Sequence, residues 1–311
     1  MIYHILCLFY VILNVIIGTI YKSVNADVFF INLVSSLIIF LSFFIKDYLS
    51  SKYSGSESNK FNDSKDKTTL TKSKIDKVID NLTTKEAFII GASGCFSFVL
   101  SLLSLKNLPL SIFIPLSNSW IFFSLFFEKL LLNIDVSIEN IFVFILLFIG
   151  IITVTYTQSS KSSDTKYMYI GILLISAIIR AFHITYVKQQ SEKYDEDELL
   201  TMDYFVNTLL GLLLFIGYVV YQKKYNLPDK KSILIILGVI LLLDNSKNYL
   251  KFLSIKHLSE NEYILLLNTS LLFSLVLGYY LYNEKITTRK VAGNIIILLS
   301  MVSYLYINQN K

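Results

Sequence analysis

Ionisable residues stand inside apolar stretches of this sequence, at the spacing of one helix face. Asp244, Lys247 and Lys251 follow one another in steps of three and four, and Asn248, four on from Asp244, shares their side of a helix. Arg180 lies in the middle of another apolar run, with His183 one turn on. A charge at bilayer depth costs about 2.5–3.5 kcal/mol, so such groups face a partner or a polar cavity. Three cations (Arg180, Lys247, Lys251) against one carboxylate (Asp244) would favour an anionic solute, such as a phosphorylated or carboxylated metabolite. A structural reading competes with this one. Asp244 and Lys247 would neutralise each other, Lys251 would snorkel to the interface, and Arg180 would pair with Asp244 or with helix-end carbonyls. His183 reads either as a proton relay or as a packing histidine. The amides Asn32, Asn207, Asn118 and Asn268 either line the same cavity or hydrogen-bond neighbouring helices. Trp120, the single tryptophan, is a candidate stacking surface.

The elements that must position these groups are apolar helices. Of the 311 residues, 54% are hydrophobic, and the mean hydropathy is +0.59. Charge-free stretches recur at 1–21, 28–45, 87–105, 107–127, 140–160, 204–222, 263–283 and 291–310, and two charged ones of similar length lie at 167–187 and 232–253. About 20 apolar residues cross the hydrocarbon layer, so the sequence predicts an all-α membrane protein of ten transmembrane helices, with no room for a water-soluble domain. The first helix is expected to be retained, because no basic residue precedes its apolar run. Cys7 and Cys95 fall inside spans, which argues against a disulfide framework or a metal site. The net charge of +5 comes from lysines dispersed over loops and does not suggest nucleic-acid binding. No P-loop, metal-ligand pair or nucleophile–base arrangement stands out, so neither an enzyme nor a cofactor is expected.

The chain repeats itself. Residues 103–156 align with 253–306 at a constant offset of 150, with Leu103-Ser104-Leu105-Lys106-Asn107-Leu108 on Leu253-Ser254-Ile255-Lys256-His257-Leu258, Asn118 on Asn268 and Asn133 on Asn283. Residues 1–21 have a counterpart at offset 166, which sets Asn14 on Arg180 and Thr19 on Thr185, and the second span has one at offset 175, with Asn32 on Asn207. The predicted domains are a first five-helix repeat at 1–156, a loop at 157–166 and a second repeat at 167–307. Five is odd, so the second copy enters the membrane from the opposite side. The repeats are then inverted and enclose a midplane cavity that rocking can open to either face. Residues 47–85, rich in Ser, Lys, Asp and Thr, are expected to form a disordered hydrophilic linker between helices 2 and 3. Its lysines favour the cytosol, although Lys223, Lys224, Lys230, Lys231, Lys285, Arg289 and Lys290 would then lie outside. The sequons at Asn62 and Asn81 would be glycosylated if the linker were lumenal.

Phe252-Leu253-Ser254-Ile255-Lys256-His257-Leu258-Ser259, followed after one span by Tyr282-Asn283-Glu284-Lys285-Ile286-Thr287 and then by Gly293, resembles the helix-end, "G-E-x-L/I-T/S" and closing-helix pattern of the drug/metabolite transporter superfamily, in its EamA-like branch. Leu105-Lys106-Asn107-Leu108-Pro109-Leu110-Ser111 and Gly150 fit the same pattern in the first half, but Ile134 with Asp135 stands where Glu284 has its counterpart. The resemblance implies a secondary carrier of small solutes working by alternating access, its cavity lined by the first four helices of each repeat. The fifth helices would be peripheral and could make a homodimer contact. The nucleotide-sugar and triose-phosphate transporters are a sister branch with the same expected fold, which keeps an organellar exchanger open. A non-transporting membrane scaffold or receptor is the reading from another class. Beyond a small solute and the lipid bilayer, the sequence names no partner and does not say which membrane holds the chain.

Overall fold

The structure, a computed structural model, describes residues 2–57, 80–133, 137–156, 163–223, 225, 227–258 and 260–309. Side chains at some positions within these helices, Asn268 among them, lie outside the description. The described residues are helical and contain no strand. In chain order the helices are α1 (Ile2–Ser23), α2 (Val28–Glu57), α3 (Lys85–Asn107), α4 (Leu110–Ser117), α5 (Trp120–Leu132), α6 (Ile138–Tyr156), α7 (Ser163–Gln190), α8 (Glu196–Gln222), α9 (Lys230–Val239), α10 (Asn245–His257), α11 (Glu260–Tyr282) and α12 (Thr288–Gln309). Pro115 and the caps around Asn118 divide α4 from α5, and a π-helical turn, Ile240–Asp244, joins α9 to α10. Taking α4–α5 and α9–π–α10 as continuous spans, seven helical stretches among the described residues are long and apolar enough to cross a bilayer.

The polar punctuation shared by the two halves has physical work to do. Asn133 and Asn283 both end a helix in the left-handed region, at φ 55° and 51°, where asparagine is tolerated better than most side chains. Leu108 and Leu258 are both extended C-caps, and their N–H groups donate to Ser104 O and Ser254 O at 2.8 and 3.0 Å. Thr19 and Thr185 each return their hydroxyl to the carbonyl four residues back. These pairs match at the offsets seen in the sequence.

The two halves meet along most of their length, with a definite polarity. Between α2 and α8, Phe29 packs on Tyr218, Phe30 on Phe215 and Phe40 on Phe205, and Lys46 reaches Asp197 at 2.8 Å. Residue numbers rise on one helix as they fall on the other, so the two run antiparallel. The same holds for α6 and α12, which cross at glycine. A Cβ on Gly150 would stand 2.7 Å from Ile297 Cγ1, and one on Gly293 would stand 2.5 Å from Val154 Cγ2 and 2.9 Å from Gly150 O. Only a missing side chain lets backbones approach that closely. α6 and α12 thus pack on each other within one chain, while Ile145, Ile149 and Ile152 on α6 and Ile295, Leu299 and Val302 on α12 face outward.

The linker differs from expectation at its described ends. α2 continues to Glu57, past the predicted boundary at 47, because no glycine or proline interrupts the chain between Val28 and Ser54. At the far end Thr84 caps α3 by accepting from Ala87 N at 3.2 Å, and Asn81 Nδ2 donates to Glu198 at 3.4 Å. Residues 58–79, with Asn62, lie outside the described set.

Candidate functional site

A cavity of about 170 Å³ lies between the two halves. Its wall comes from α1, α2, α3, α4, α7, α8, the π turn, α10 and α11, and takes none of the described residues of α6 or α12. Of the residues singled out from sequence, Asn32, Asn118, Arg180, His183, Asp244, Lys247, Asn248 and Lys251 line it. Asn207 does not. It is buried in the α8 packing with its Oδ1 unpartnered. Asn268 has no described side chain, so its placement falls outside this account.

The π turn brings Asp244 to the cavity. Widening the helix by one residue just before Asp244 re-aims the following face inward, a common use of such turns. Asp244 Oδ2 accepts from Tyr21 Oη and from Ser35 Oγ, both at 2.8 Å, and its Oδ1 forms an ion pair with Lys247. This carboxylate therefore ties α10 to α1 and α2, and the neutralisation weighed from sequence is present. Lys251 stays within the cavity wall, with its ammonium 5.1 Å from the Phe252 ring centre. Asn118 Nδ2 donates to Ser270 Oγ at 3.1 Å and so links α4 to α11. Asn32 Nδ2 contacts Cys95 Sγ at 3.7 Å.

Arg180 is placed differently from either pairing weighed in the sequence. Its guanidinium lies 5.6 Å from the centre of the Trp120 ring, a cation–π distance, and no ion pair to it is found among the described residues. Trp120 is fully buried and supports the arginine without itself lining the cavity. Asn14, the partner of Arg180 in the repeat, lines the same cavity.

Sequence reasoning missed Asp203. It is 4% exposed on α8, lines the cavity and sits 3.6 Å from His183 Nε2. The charge balance changes accordingly, to Arg180, Lys247 and Lys251 against two carboxylates, Asp203 and Asp244. Asp203 falls one residue before the charge-free stretch 204–222, shortly after the acidic run Asp195-Glu196-Asp197-Glu198. The available signal was its flanks, Leu199-Leu200-Thr201-Met202 before and Tyr204-Phe205-Val206 after, which no solvated acidic run shares.

One end of the cavity is closed by crossed caps. Lys22 on α1 donates to Leu105 O at 3.0 Å and to Leu108 O, at the C-terminus of α3. Lys106 on α3 donates to Val24 O at 3.0 Å and to Ala26 O, just past the C-terminus of α1. Cations suit the negative end of a helix dipole. On the same side Glu284, following α11, accepts from Leu110 N at 2.6 Å, from Ser111 N at 3.1 Å and from Ser111 Oγ. It thereby caps α4, whose own N-cap, Pro109, makes no side-chain cap bond. Lys290 joins Ser111 Oγ at 2.8 Å. The opposite end is held by more exposed pairs, Lys256 with Glu196 at 2.8 Å and Lys193 with Glu86 at 3.9 Å.

A family model described as the EamA-like transporter family matches residues 167–306. No curated protein matches the chain. Nineteen chains of solved structures match it. One crystal structure among them aligns over 99% of this chain and 98% of its own, with a TM-score of 0.62 at 9% sequence identity, a likeness that shows the fold alone. Residues 167–306, just under half of the chain, are thus similar to the EamA-like transporter family, and with seven helical stretches apolar and long enough to cross a bilayer the chain is an integral, multi-pass membrane protein.

Proposed function

We propose that the protein is a secondary transporter that moves a small anionic metabolite by alternating access, through a cavity between two inverted five-helix repeats at 1–156 and 167–307. The observation that carries the substrate class is Arg180, a guanidinium on the cavity wall, backed by Trp120 and paired with no carboxylate among the described residues. Asp244 is held by Lys247, which leaves Arg180 as the cation best placed for a carboxylate or phosphate, whose oxygens its planar fork matches. Three cations against two carboxylates leave an excess positive charge.

Support for the inverted architecture comes from contact symmetry. Exchanging the halves turns α3 on α7 into α10 on α1, and α5 on α7 into α11 on α1, and all four contacts occur. The exchange leaves α2 on α8 and α6 on α12 unchanged, and both pairs run antiparallel. A pseudo-two-fold axis in the membrane plane has these properties. Transport then breaks the crossed caps of Lys22 and Lys106 when one face opens, and the Lys256–Glu196 pair when the other does. Exposed ion pairs contribute only about 0–1 kcal/mol, so the second opening is the easier.

The test is counterflow in proteoliposomes against a panel of carboxylated and phosphorylated metabolites, with Arg180→Gln and Lys247→Gln in parallel. Exchange of an anion that both variants lose, at wild-type reconstitution levels, is expected. Counterflow of neutral or cationic solutes that survives Arg180→Gln would overturn the anion assignment.

A further inference from the structure

His183 Nδ1 lies 3.1 Å from Ile90 O and 3.2 Å from Ser93 Oγ. Ile90 O is a carbonyl and can only accept. The Ser93 hydroxyl sends its own hydrogen to Ile89 O at 2.7 Å or Ile90 O at 2.9 Å, so it too presents a lone pair to the ring. Nδ1 must therefore carry a hydrogen. In the neutral ring this leaves a lone pair on Nε2, which faces Asp203 Oδ2 at 3.6 Å. A lone pair against a carboxylate is repulsive, and here both groups are almost wholly buried. One proton between Oδ2 and Nε2 converts the repulsion into an O–H···N attraction. The other carboxyl oxygen, Oδ1, has no hydrogen-bond partner, which makes the neutral acid the less costly form of this side chain.

We propose that Asp203 and His183 form a single-proton binding site in the cavity wall, with the proton resting on Asp203 Oδ2 and directed at His183 Nε2. Gly94 makes room for the pair, since a Cβ there would overlap Asp203 Oδ1 and stand 3.3 Å from His183 Cε1. The site is ringed by groups that respond to its charge. Cys95 faces it from α3 and Arg180 from α7. Lys251 attracts the carboxylate from α10, where Lys247 is its neighbour along the cavity. Tyr204 stands beside Asp203 on α8, Asp244 lies at the π turn, and α1 contributes Tyr21 and Tyr10. α2 presents only the neutral Asn32, Ser35 and Ser36 to the cavity. Loss of the proton leaves a carboxylate that competes for Lys251, and its return frees Lys251 and raises the cavity charge by one. Resting on the reading of the cavity as an anion site, this arrangement makes a proton and an anion favour each other's binding. Proton and anion then enter and leave together, which names the coupling ion.

The test needs no solute. Infrared difference spectra of the purified full chain, between buffer at about pH 6, where ordinary carboxylates are already ionised, and alkaline buffer, are compared for wild type, Asp203→Asn and His183→Gln. A carboxylic-acid carbonyl band is expected in wild type. It should disappear on alkalinisation, be absent over the same pH range in Asp203→Asn, and move in frequency in His183→Gln, where the lone pair it faces is changed. A wild-type protein without a titrating carboxylic-acid band, or a band that persists in Asp203→Asn, would overturn the site. Should Asp203→Asn fail to fold, ¹⁵N spectra of histidine-labelled wild type decide, with the His183 signals assigned among only three histidines. His183 Nδ1 should stay protonated throughout, and an unprotonated Nδ1 rejects the proposal. A carrier of neutral solutes would still show the band, and loss of the band would leave the Arg180 counterflow result untouched, so the two readings fail separately.

Discussion

Removing the Glu284 carboxylate should loosen one end of the protein by an amount the geometry sets. Glu284 takes the N–H groups of Leu110 and Ser111 and the Ser111 hydroxyl, and so supplies from the second half the cap that α4 lacks in its own chain segment. Loss of a helix cap costs about 0.5–2 kcal/mol, and a hydrogen bond to a charged group about 1.5–3 kcal/mol. The carboxylate is half-exposed, and water takes over part of its role, so Glu284→Ala is expected to cost about 2–3 kcal/mol. Glu284→Gln keeps one acceptor oxygen and should cost about 1 kcal/mol. Lys290 is buried and bonded to the same serine. Once Glu284 is gone, its ammonium lacks a nearby counter-charge, so Lys290→Met should cost less in the Glu284→Ala background than alone. Unfolding free energy from a reversible SDS titration, followed by the fluorescence of Trp120, measures wild type and all four variants. Glu284→Ala within about 0.5 kcal/mol of wild type, or strictly additive costs in the double variant, would refute the cap.

Three further outcomes follow from the same structure. Gly150→Ala and Gly293→Ala should each cost about 1–3 kcal/mol through overpacking at the α6–α12 crossing, whereas Gly171→Ala, with nothing within 4 Å, should be neutral in the same titration. Lys22→Met removes the caps on Leu105 O and Leu108 O and should cost about 1–2 kcal/mol, with faster hydrogen exchange at the C-terminal turn of α3. Tyr225, in the loop before α9, donates to Asp27, and burial together with this bond to a carboxylate raises its hydroxyl above the ordinary tyrosine range. A raised value means that the folded form holds the proton more tightly. The contribution is complete below the unfolded tyrosine's titration near pH 10 and fades as pH rises through the higher folded value. Alkaline melting curves should therefore fall more steeply for wild type than for Tyr225→Phe.

The helices were legible because hydrophobic length is a direct consequence of bilayer thickness, and the shared asparagines and serines because they sit where backbone geometry demands them. Asn133 and Asn283 end helices in the left-handed region, a constraint that preserves the residue type while the surrounding apolar residues drift. The polar face at Asp244, Lys247, Asn248 and Lys251 was legible from its spacing, although the π turn that aims it leaves no mark in periodicity. Asp203 was not legible by counting charge-free residues, because a buried carboxyl at the border of an acidic run looks like part of that run. The support of Arg180 was not legible. Nothing in sequence separation ties Trp120 on α5 to Arg180 on α7, and the missing acid partner is visible only in three dimensions. The crossed lysine caps were equally hidden, since Lys22 and Lys106 meet backbone carbonyls, and carbonyls are common to every residue.

The central claim is that the cavity between the halves opens to each membrane face in turn. Single cysteines at Asn14 and Ser97, both on the cavity wall, test it in a protein whose buried Cys7 and Cys95 are replaced by alanine. Membrane-impermeant thiol reagents are applied from one face and then from the other in oriented vesicles. Both positions should be labelled from either side, and a crosslink between Lys22→Cys and Leu108→Cys should remove labelling from the face of the Lys22 and Lys106 caps alone. Labelling from a single face under every condition, or from neither, would contradict alternating access through this cavity.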